Sequence, residues 1–498
     1  MRDACWTCRN RTIQCDQSCF PCLKCKKAGL ECRDKKPLRW VQGVAIRGRM
    51  RGYVYKETPT NRDALLSTHI RPKQVRRGSH QLQLSLQDPR MRNLDPSSRY
   101  YIDYYSQRIC RLYILHDSDS NPFRGLLAYA LEDAPLLKSI TALAARHLAN
   151  TGYSFDQSDK NDVVVPASRF TDTTLAALRF KTQAITALRE RLTRPHLEPG
   201  KTDTMMATIL LLIFLELLES GLDGWDVHLK GARALVCLYQ SLRGKTCKNG
   251  GSGEMDQEIR AFITRQFSLI ETLGASLSQS NPLLEDFDST SYVVSQGQES
   301  IVRSFLGCPE FILRSVQFFS SQRQLAAESP PHNAAHVQDT LAMLDVTENF
   351  NSQEWASGFQ NQQSSPSLPY TAGMESLYML GEAYKTAALL YGRQVLGSEL
   401  ASAESKDLVL RLLGLIDALK TQDTLFKCLL WPTFIAGLHC LERDQQGLVH
   451  DYLKRIWDLT ACLNVISASN ILEVYWERAR LSGTRFHCVG LDRRWLLI

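Results

Sequence analysis

The sequence predicts a mostly α protein in two parts, a small cysteine-rich head ordered by metal and a large all-α body. Three observations lead there. Seven of the fifteen cysteines fall before residue 33. Residues 1–80 carry 19 Lys+Arg against 6 Asp+Glu, and the remainder 40 against 46. From about residue 96 apolar residues recur at helical intervals, with no repeating strand–helix alternation. A basic head on a mildly acidic body is the electrostatic outline of a nucleic-acid binder joined to an interaction domain.

Six of the seven early cysteines form two copies of one spacing, Cys5-x2-Cys8-x6-Cys15 and Cys22-x2-Cys25-x6-Cys32, offset by 17 residues. The match extends beyond sulfur: Arg9 corresponds to Lys26 and Ile13 to Leu30. Each copy offers a chelating pair, about one helical turn, an apolar packing residue and a closing thiolate. Zinc favours thiolate sulfur and takes four ligands in a tetrahedron. Six cysteines serve two such ions only if two sulfurs bridge. So short a segment has little core of its own, and metal supplies its folding energy. Cys19 stands outside the pattern. It reads as a free thiol in the connecting loop, while Cys19-x2-Cys22 remains open as a substitute pair.

The order C-x2-C-x6-C-x6-C-x2-C-x6-C resembles the fungal Zn2Cys6 binuclear cluster. So do Ala4-Cys5, Cys8-Arg9, Cys15-Asp16 and Gly29-Leu30-Glu31-Cys32. The resemblance implies two zinc ions bridged by Cys5 and Cys22, with Cys8 and Cys15 completing one site and Cys25 and Cys32 the other. It implies a helix near Cys8 that enters the major groove of double-stranded DNA. Arg9 and Arg11 become the base-contact candidates, since arginine pairs bidentately with guanine. GC-containing triplets, single or paired, are the expected targets. Lys24, Lys26, Lys27, Arg33, Lys35 and Lys36 are the expected phosphate contacts, which give affinity without sequence information. This chain departs from the family where Thr12 and Gln14 replace basic residues, where Pro21 directly precedes Cys22, and where Cys19 is added.

The expected domains are 1–36 for the DNA-binding cluster, 37–95 for a basic, polar linker and 96–498 for the helical regulatory body. Arg47-Gly48-Arg49-Met50-Arg51 in the linker suits an arm along the phosphates or in a minor groove; a solvated linker is the other reading. Arg47, Arg49 and Arg51, or Lys73, Arg76 and Arg77, suit nuclear import. No sustained heptad follows the cluster, so no coiled coil is expected there.

In the body, Leu136 to Leu148 and the series Leu178, Ile185, Leu188 and Leu192 mark helices. Breaks are expected at Asn121-Pro122, Pro166, Pro195, Gly250 to Gly253 and Pro330-Pro331, and Val163 to Val165 suit a short strand. The run Met205 to Leu215 is about half a membrane span and precedes Glu216 and Glu219, so it reads as a buried helix. Asn121-Pro122-Phe123, Ala177-Leu178-Arg179-Phe180-Lys181, Gly224-Trp225-Asp226-Val227-His228 and Leu429-Leu430-Trp431-Pro432 are similar to the fungal-specific transcription factor domain. That resemblance implies a regulatory helical array. Trp225 and His228 share a helix face and are expected to pack. Cys428, Cys440, Cys462 and Cys488 lack ligand spacing and read as buried residues. Residues 349–368, rich in Asn, Gln and Ser, read as a disordered insertion, either a plain loop or an activation segment.

No phosphate-binding loop, dinucleotide fingerprint, H-E-x-x-H or G-x-S-x-G occurs, so no enzyme is expected. The first residues lack the apolar stretch of a secretory signal, which fits reduced thiols. The expected function is zinc-dependent, sequence-specific regulation of RNA polymerase II transcription in the nucleus. Its target would be one pathway, such as a biosynthetic gene cluster, with co-regulators or a second copy as partners and no membrane. The alternative is a zinc-stabilised co-regulator with weak or no DNA binding.

Overall fold

The computed structural model describes residues 4–34 other than 18, and 89–498 other than 157–167, 194–198, 223, 244–254, 256, 278–303, 329–333, 362–372, 398–403 and 483–493. The chain divides into two units, Met1–Leu84 and Ser85–Ile498. The possible strand at Val163 to Val165, Cys488 and the breaks at Pro166, Pro195, Gly250 to Gly253 and Pro330-Pro331 lie outside the described residues.

The first unit contains two short helices, α1 (Trp6–Asn10) and α2 (Leu23–Lys27). The second is a helical array without strands among the described residues, as expected. It opens with α3 (Pro96–Tyr104), which runs on through a π-turn at Tyr105–Ile109, then α4 (Pro122–Ala130) and α5 (Ala134–Asn150). Each of these starts is set by an Asx residue with a nearby proline. Asp95, Asn121 and Asp133 accept from the N–H groups of Ser98, Phe123 and Leu136, and Pro96, Pro122 and Pro135 occupy the first turn, where a missing N–H costs nothing.

The next helices are α6 (Ser168–Leu192), α7 (Pro199–Glu219), α8 (Gly224–Arg243) and α9 (Gln257–Leu277). α5 lies along both α6 and α7, and α7 along α8. The run Met205 to Leu215 is the middle of α7, and Leu210 to Leu215 are fully buried. No described helix is long and apolar enough to cross a membrane. α6 forms where the period placed it, but its buried face is different. Leu178, Ile185 and Leu192 are 48%, 39% and 44% exposed, and only Leu188 of that series is buried. The inward face is Ala177, Phe180, Ala184 and Leu188. Small residues serve there because α5 presents Ala142, Ala144, Ala145 and Ala149, all buried, and the two backbones approach closely.

The chain continues with α10 (Glu310–Glu328), α11 (Ala334–Glu348), α12 (Ser352–Asn361), α13 (Met374–Val395) and α14 (Glu404–Ala418). It ends with the short α15 (Asp423–Phe426), then α16 (Leu430–His439), α17 (Arg443–Thr460) and α18 (Leu463–Ser482). α13 is the second buried helix, packed by α10, α11, α12 and α14. Trp431 stacks on Tyr384 of α13 with ring centroids 6.3 Å apart, and its Nε1 donates to Ser276 Oγ at 2.9 Å. Cys428, Cys440 and Cys462 are buried, as expected, and burial pushes their thiols up to about 11, 12 and 12.

The disordered insertion expected at 349–368 is corrected over its described part. Asn351 Oδ1 accepts from the N–H groups of Gln353 and Glu354 and starts α12. Phe350 stacks on Phe311 at 5.5 Å, Ala356 is fully buried, and the Trp355 ring lies against Gly381. Phe350 and Trp355 are anchors in that polar stretch, and composition concealed their packing.

Trp225 is 1% exposed and its Nε1 donates to the Arg494 carbonyl at 3.1 Å. A Cβ on Gly274 would lie 2.3 Å from the Trp225 ring. Gly274→Ala should therefore cost about 1–3 kcal/mol through overpacking, read as a lower midpoint in chemical unfolding. An unchanged midpoint would contradict this packing.

Candidate metal centre and nucleic-acid interface

The 17-residue repeat is reproduced in the backbone. Cys5 and Cys22 precede α1 and α2 with φ, ψ of −59°, 148° and −61°, 148°. Each sulfur accepts from the N–H three residues on, Cys8 at 3.3 Å and Cys25 at 3.4 Å. The helices end alike. Ile13 N–H donates to the Cys8 carbonyl and Thr12 N–H to that of Arg9, while Leu30 and Gly29 donate to Cys25 and Lys26. This double bond is the Schellman closure, which needs one left-handed residue. Gly29 fills that place at φ 64° and Thr12 its equivalent at φ 56°. A β-branched residue is strained there.

The six cysteine sulfurs converge. Sγ separations are 3.8 Å for Cys5–Cys22, 3.8 Å for Cys5–Cys25, 3.6 Å for Cys8–Cys22, 3.8 Å for Cys8–Cys25 and 3.9 Å for Cys15–Cys5. Cys5, Cys8, Cys15 and Cys22 form one group with all sulfurs within 4.8 Å of one another, and Cys5, Cys22, Cys25 and Cys32 form another. The two groups share Cys5 and Cys22. Four sulfurs around one zinc at about 2.3 Å lie about 3.8 Å apart along each tetrahedral edge, so the sulfur set fits the metal.

Among the described residues of this unit the buried side chains are Cys5, Cys8, Cys22, Cys25 and Cys32, with Cys15 half-buried against them. Burial, reinforced by adjacent sulfurs, pushes the Cys8 thiol up to about 12 and Cys25 higher still. At Cys5 burial acts in the same direction, but the Cys8 N–H and neighbouring sulfurs outweigh it and bring the thiol below its usual value. Sulfurs this crowded ionise together only around cations. Ile13 and Leu30, expected to pack, are 36% and 44% exposed; sulfur, and not aliphatic carbon, fills the centre. Cys19 is exposed, with its Sγ 3.3 Å from the Pro21 carbonyl, and belongs to neither group.

Arg9 and Arg11 are exposed at the end of α1, and Arg9 Nη2 donates to the Asp34 carbonyl at 3.4 Å. Lys26 and Lys27 are exposed on α2, and Arg33 pairs with Glu31 at 2.5 Å. Lys24 Nζ donates to the Gln14 carbonyl at 2.6 Å. Lys35 and Lys36 lie outside the described residues. The sequence reading missed Asp16, whose Oδ2 accepts from the Leu23 N–H and steadies the start of α2. It also missed Thr7, which bonds the segment around Cys32. The 17-residue offset was the signal for Thr7, since it pairs that residue with Lys24.

In the second unit, two of the stretches that resemble a regulatory domain, those with Lys181 and with Gly224 and His228, meet at Glu216 of α7. Lys181 reaches Glu216 at 2.8 Å and Glu219 at 2.6 Å, and His228 Nε2 lies 3.5 Å from Glu216. A Cβ on Gly224 would lie 2.5 Å from Glu216 Oε2. Burial raises this carboxyl, but the hydrogen bond from His228 and the ties to Lys181 outweigh it and hold its pKa below the ordinary range. Trp225 packs, as expected, whereas His228 is engaged by this carboxylate.

A thiolate cluster with two shared sulfurs, carried beside exposed arginine and lysine and followed in sequence by a helical array, defines a zinc-dependent DNA-binding regulator. Residues 3–40 match the fungal Zn(2)-Cys(6) binuclear cluster domain, and residues 99–496 match the fungal specific transcription factor domain. The chain belongs to the family of fungal transcription factors that carry these domains; it is a regulator and not an enzyme, and its cluster domain binds two zinc ions. It is similar to the acriflavine sensitivity control protein acr-2 of Neurospora crassa, with 25% identity over 400 residues, 77% of this chain and 62% of that protein. The chain thus spans 62% of the length of that curated relative. No solved structure matches it.

Replacing Thr12 with glycine should remove the left-handed strain and stabilise the zinc-loaded head by about 1 kcal/mol. Slower proteolysis at the head in the full chain would register this; faster proteolysis would contradict the assigned closure.

Proposed function

We propose that this protein is a nuclear, sequence-specific regulator of RNA polymerase II transcription that acts on the genes of one pathway. The observation that carries the reading is the pair of four-sulfur groups sharing Cys5 and Cys22, with Arg9 and Arg11 exposed on the helix they anchor. In this reading Cys5 and Cys22, shared by the two sulfur groups, would serve both zinc ions. Cys8 and Cys15 complete one site, and Cys25 and Cys32 the other. Bound there, the ions would supply the charge that lets six crowded thiols ionise, and the shared cysteines would fix α1 to α2.

α1 then carries Arg9 and Arg11 to base edges in the major groove, where the arginine fork recognises guanine within GC-containing triplets. Lys26, Lys27, Arg33, Lys35 and Lys36 lie along phosphates and set affinity without choosing sequence. Arg33 must leave Glu31 to do so, an exchange that costs little because exposed pairs are weak. The helical body receives a signal or contacts co-regulators or a second copy. A relative named for control of sensitivity to one compound supports a pathway-specific role over a general one, whether that pathway is biosynthetic or protective.

The test is selection of random duplexes by the zinc-loaded full chain, repeated after chelation, with Arg11→Ala and Lys27→Ala in parallel. A GC-containing motif should be enriched only with zinc. Arg11→Ala should relax one position of it at a cost of about 1–3 kcal/mol, whereas Lys27→Ala should weaken all sequences alike and lower the salt slope by about one. Retained zinc with no enriched motif would instead identify a zinc-stabilised co-regulator that reaches genes through a partner.

A further inference from the structure

Each helix of the head has, at its second residue, a side chain that reaches the opposite half of the repeat. Thr7 Oγ1 donates to the Glu31 carbonyl at 2.8 Å and accepts from the Arg33 N–H at 3.1 Å, so it straddles Cys32. Lys24 Nζ donates to the Gln14 carbonyl at 2.6 Å, on the peptide that leads into Cys15. Thr7 and Lys24 occupy the same place in the 17-residue repeat, and so do Gln14 and Glu31. Two chemically different side chains therefore make equivalent ties, each to the carbonyl just before the closing cysteine of the other half.

The ties are not equally redundant. The Cys32 arm has both Thr7 bonds and a further one from the Trp6 N–H to the Arg33 carbonyl at 2.6 Å, and Cys32 is buried. Cys15 is half-buried, the most exposed of the six, and its arm is held by the Lys24 ammonium on the Gln14 carbonyl before it and by the Leu23 N–H on Asp16 Oδ2 after it, at 3.0 Å.

We propose that Lys24, with Thr7 as its counterpart, is a positioning residue that fixes the closing sulfurs Cys15 and Cys32 for metal, and that Lys24 is not a phosphate contact. The proposal rests on the reading that Cys15 and Cys32 are ligands. Loss of a phosphate contact leaves zinc retention alone and lowers the salt slope of DNA binding, whereas loss of a positioning residue speeds zinc release and leaves the slope alone. That contrast separates Lys24 from Lys26 and Lys27 on the same helix.

The experiment uses the zinc-loaded full chain and follows zinc transfer to a chromogenic chelator, alkylation of Cys15 read by peptide mass, and the salt slope of duplex binding. Lys24→Ala should release its zinc about tenfold faster and expose Cys15 to alkylation, with the salt slope unchanged. Lys24→Arg, which keeps a charged donor, should restore slow release, and Lys26→Ala should match the wild type in release. Thr7→Ala should speed alkylation of Cys32 more than that of Cys15. Wild-type zinc release from Lys24→Ala overturns the proposal, and a salt slope lowered by about one would then assign Lys24 to phosphate. A wild-type chain that shields Cys15 no better than Cys19 from alkylation overturns the ligand reading itself, and the proposal with it.

Discussion

Everything the N-terminal unit can do depends on six sulfurs that have no reason to sit together unless a cation holds them. Among its described residues the buried side chains are cysteines, Trp6 is half-buried, and Phe20, Leu23, Ile13 and Leu30 are exposed. An ordinary domain draws on apolar burial to offset the entropy of ordering its chain. Here that contribution is small, and metal ligation replaces it. The same constraint explains the internal repeat. Two ions with two common sulfurs make a nearly symmetric centre, and two copies of one chelating turn enclose it with the same capping geometry, to within 2° in φ at Cys5 and Cys22.

The helical body obeys the opposite logic. Its core is continuous and apolar, with α7 and α13 buried on nearly every side and charged groups admitted only in compensated sets. Glu216 with Lys181, Glu219 and His228 is one such set, and Glu382 with Lys385 and Arg411 is another. Removing one member of a buried set leaves an uncompensated charge, so these residues fix how the helices meet more than they add net stability. Family-like stretches of α6 and α8 meet at Glu216 of α7, which gives a physical reason for them to travel together in sequence.

What was legible in the sequence followed the strength of the constraint on each residue. Ligation demands one residue type at set spacing, so the six cysteines could be singled out without any fold. α5 and α7 were legible because their apolar content is high, and the Asx-proline starts of α4 and α5 mark themselves. Period alone could not say which face of α6 turns inward. Leu178, Ile185, Leu188 and Leu192 suggested one face, while burial fell to Ala177, Phe180, Ala184 and Leu188 against an alanine-rich α5. Composition likewise misread 349–361, since Phe350 and Trp355 anchor α12 through partners distant in sequence, Phe311 and Gly381. The Lys24 tie escaped because lysine in a basic segment looks like a phosphate contact; only the repeat offset links it to Thr7.

The central claim is that two zinc ions share two sulfurs in an all-thiolate centre. X-ray absorption at the zinc edge of the full-length protein, with zinc content measured on the same sample, tests it most directly. The account expects two zinc ions per chain, each with about four sulfurs at about 2.3 Å and a second zinc close enough to scatter. One zinc per chain, nitrogen or oxygen in the coordination shell, or no metal–metal scattering would contradict it.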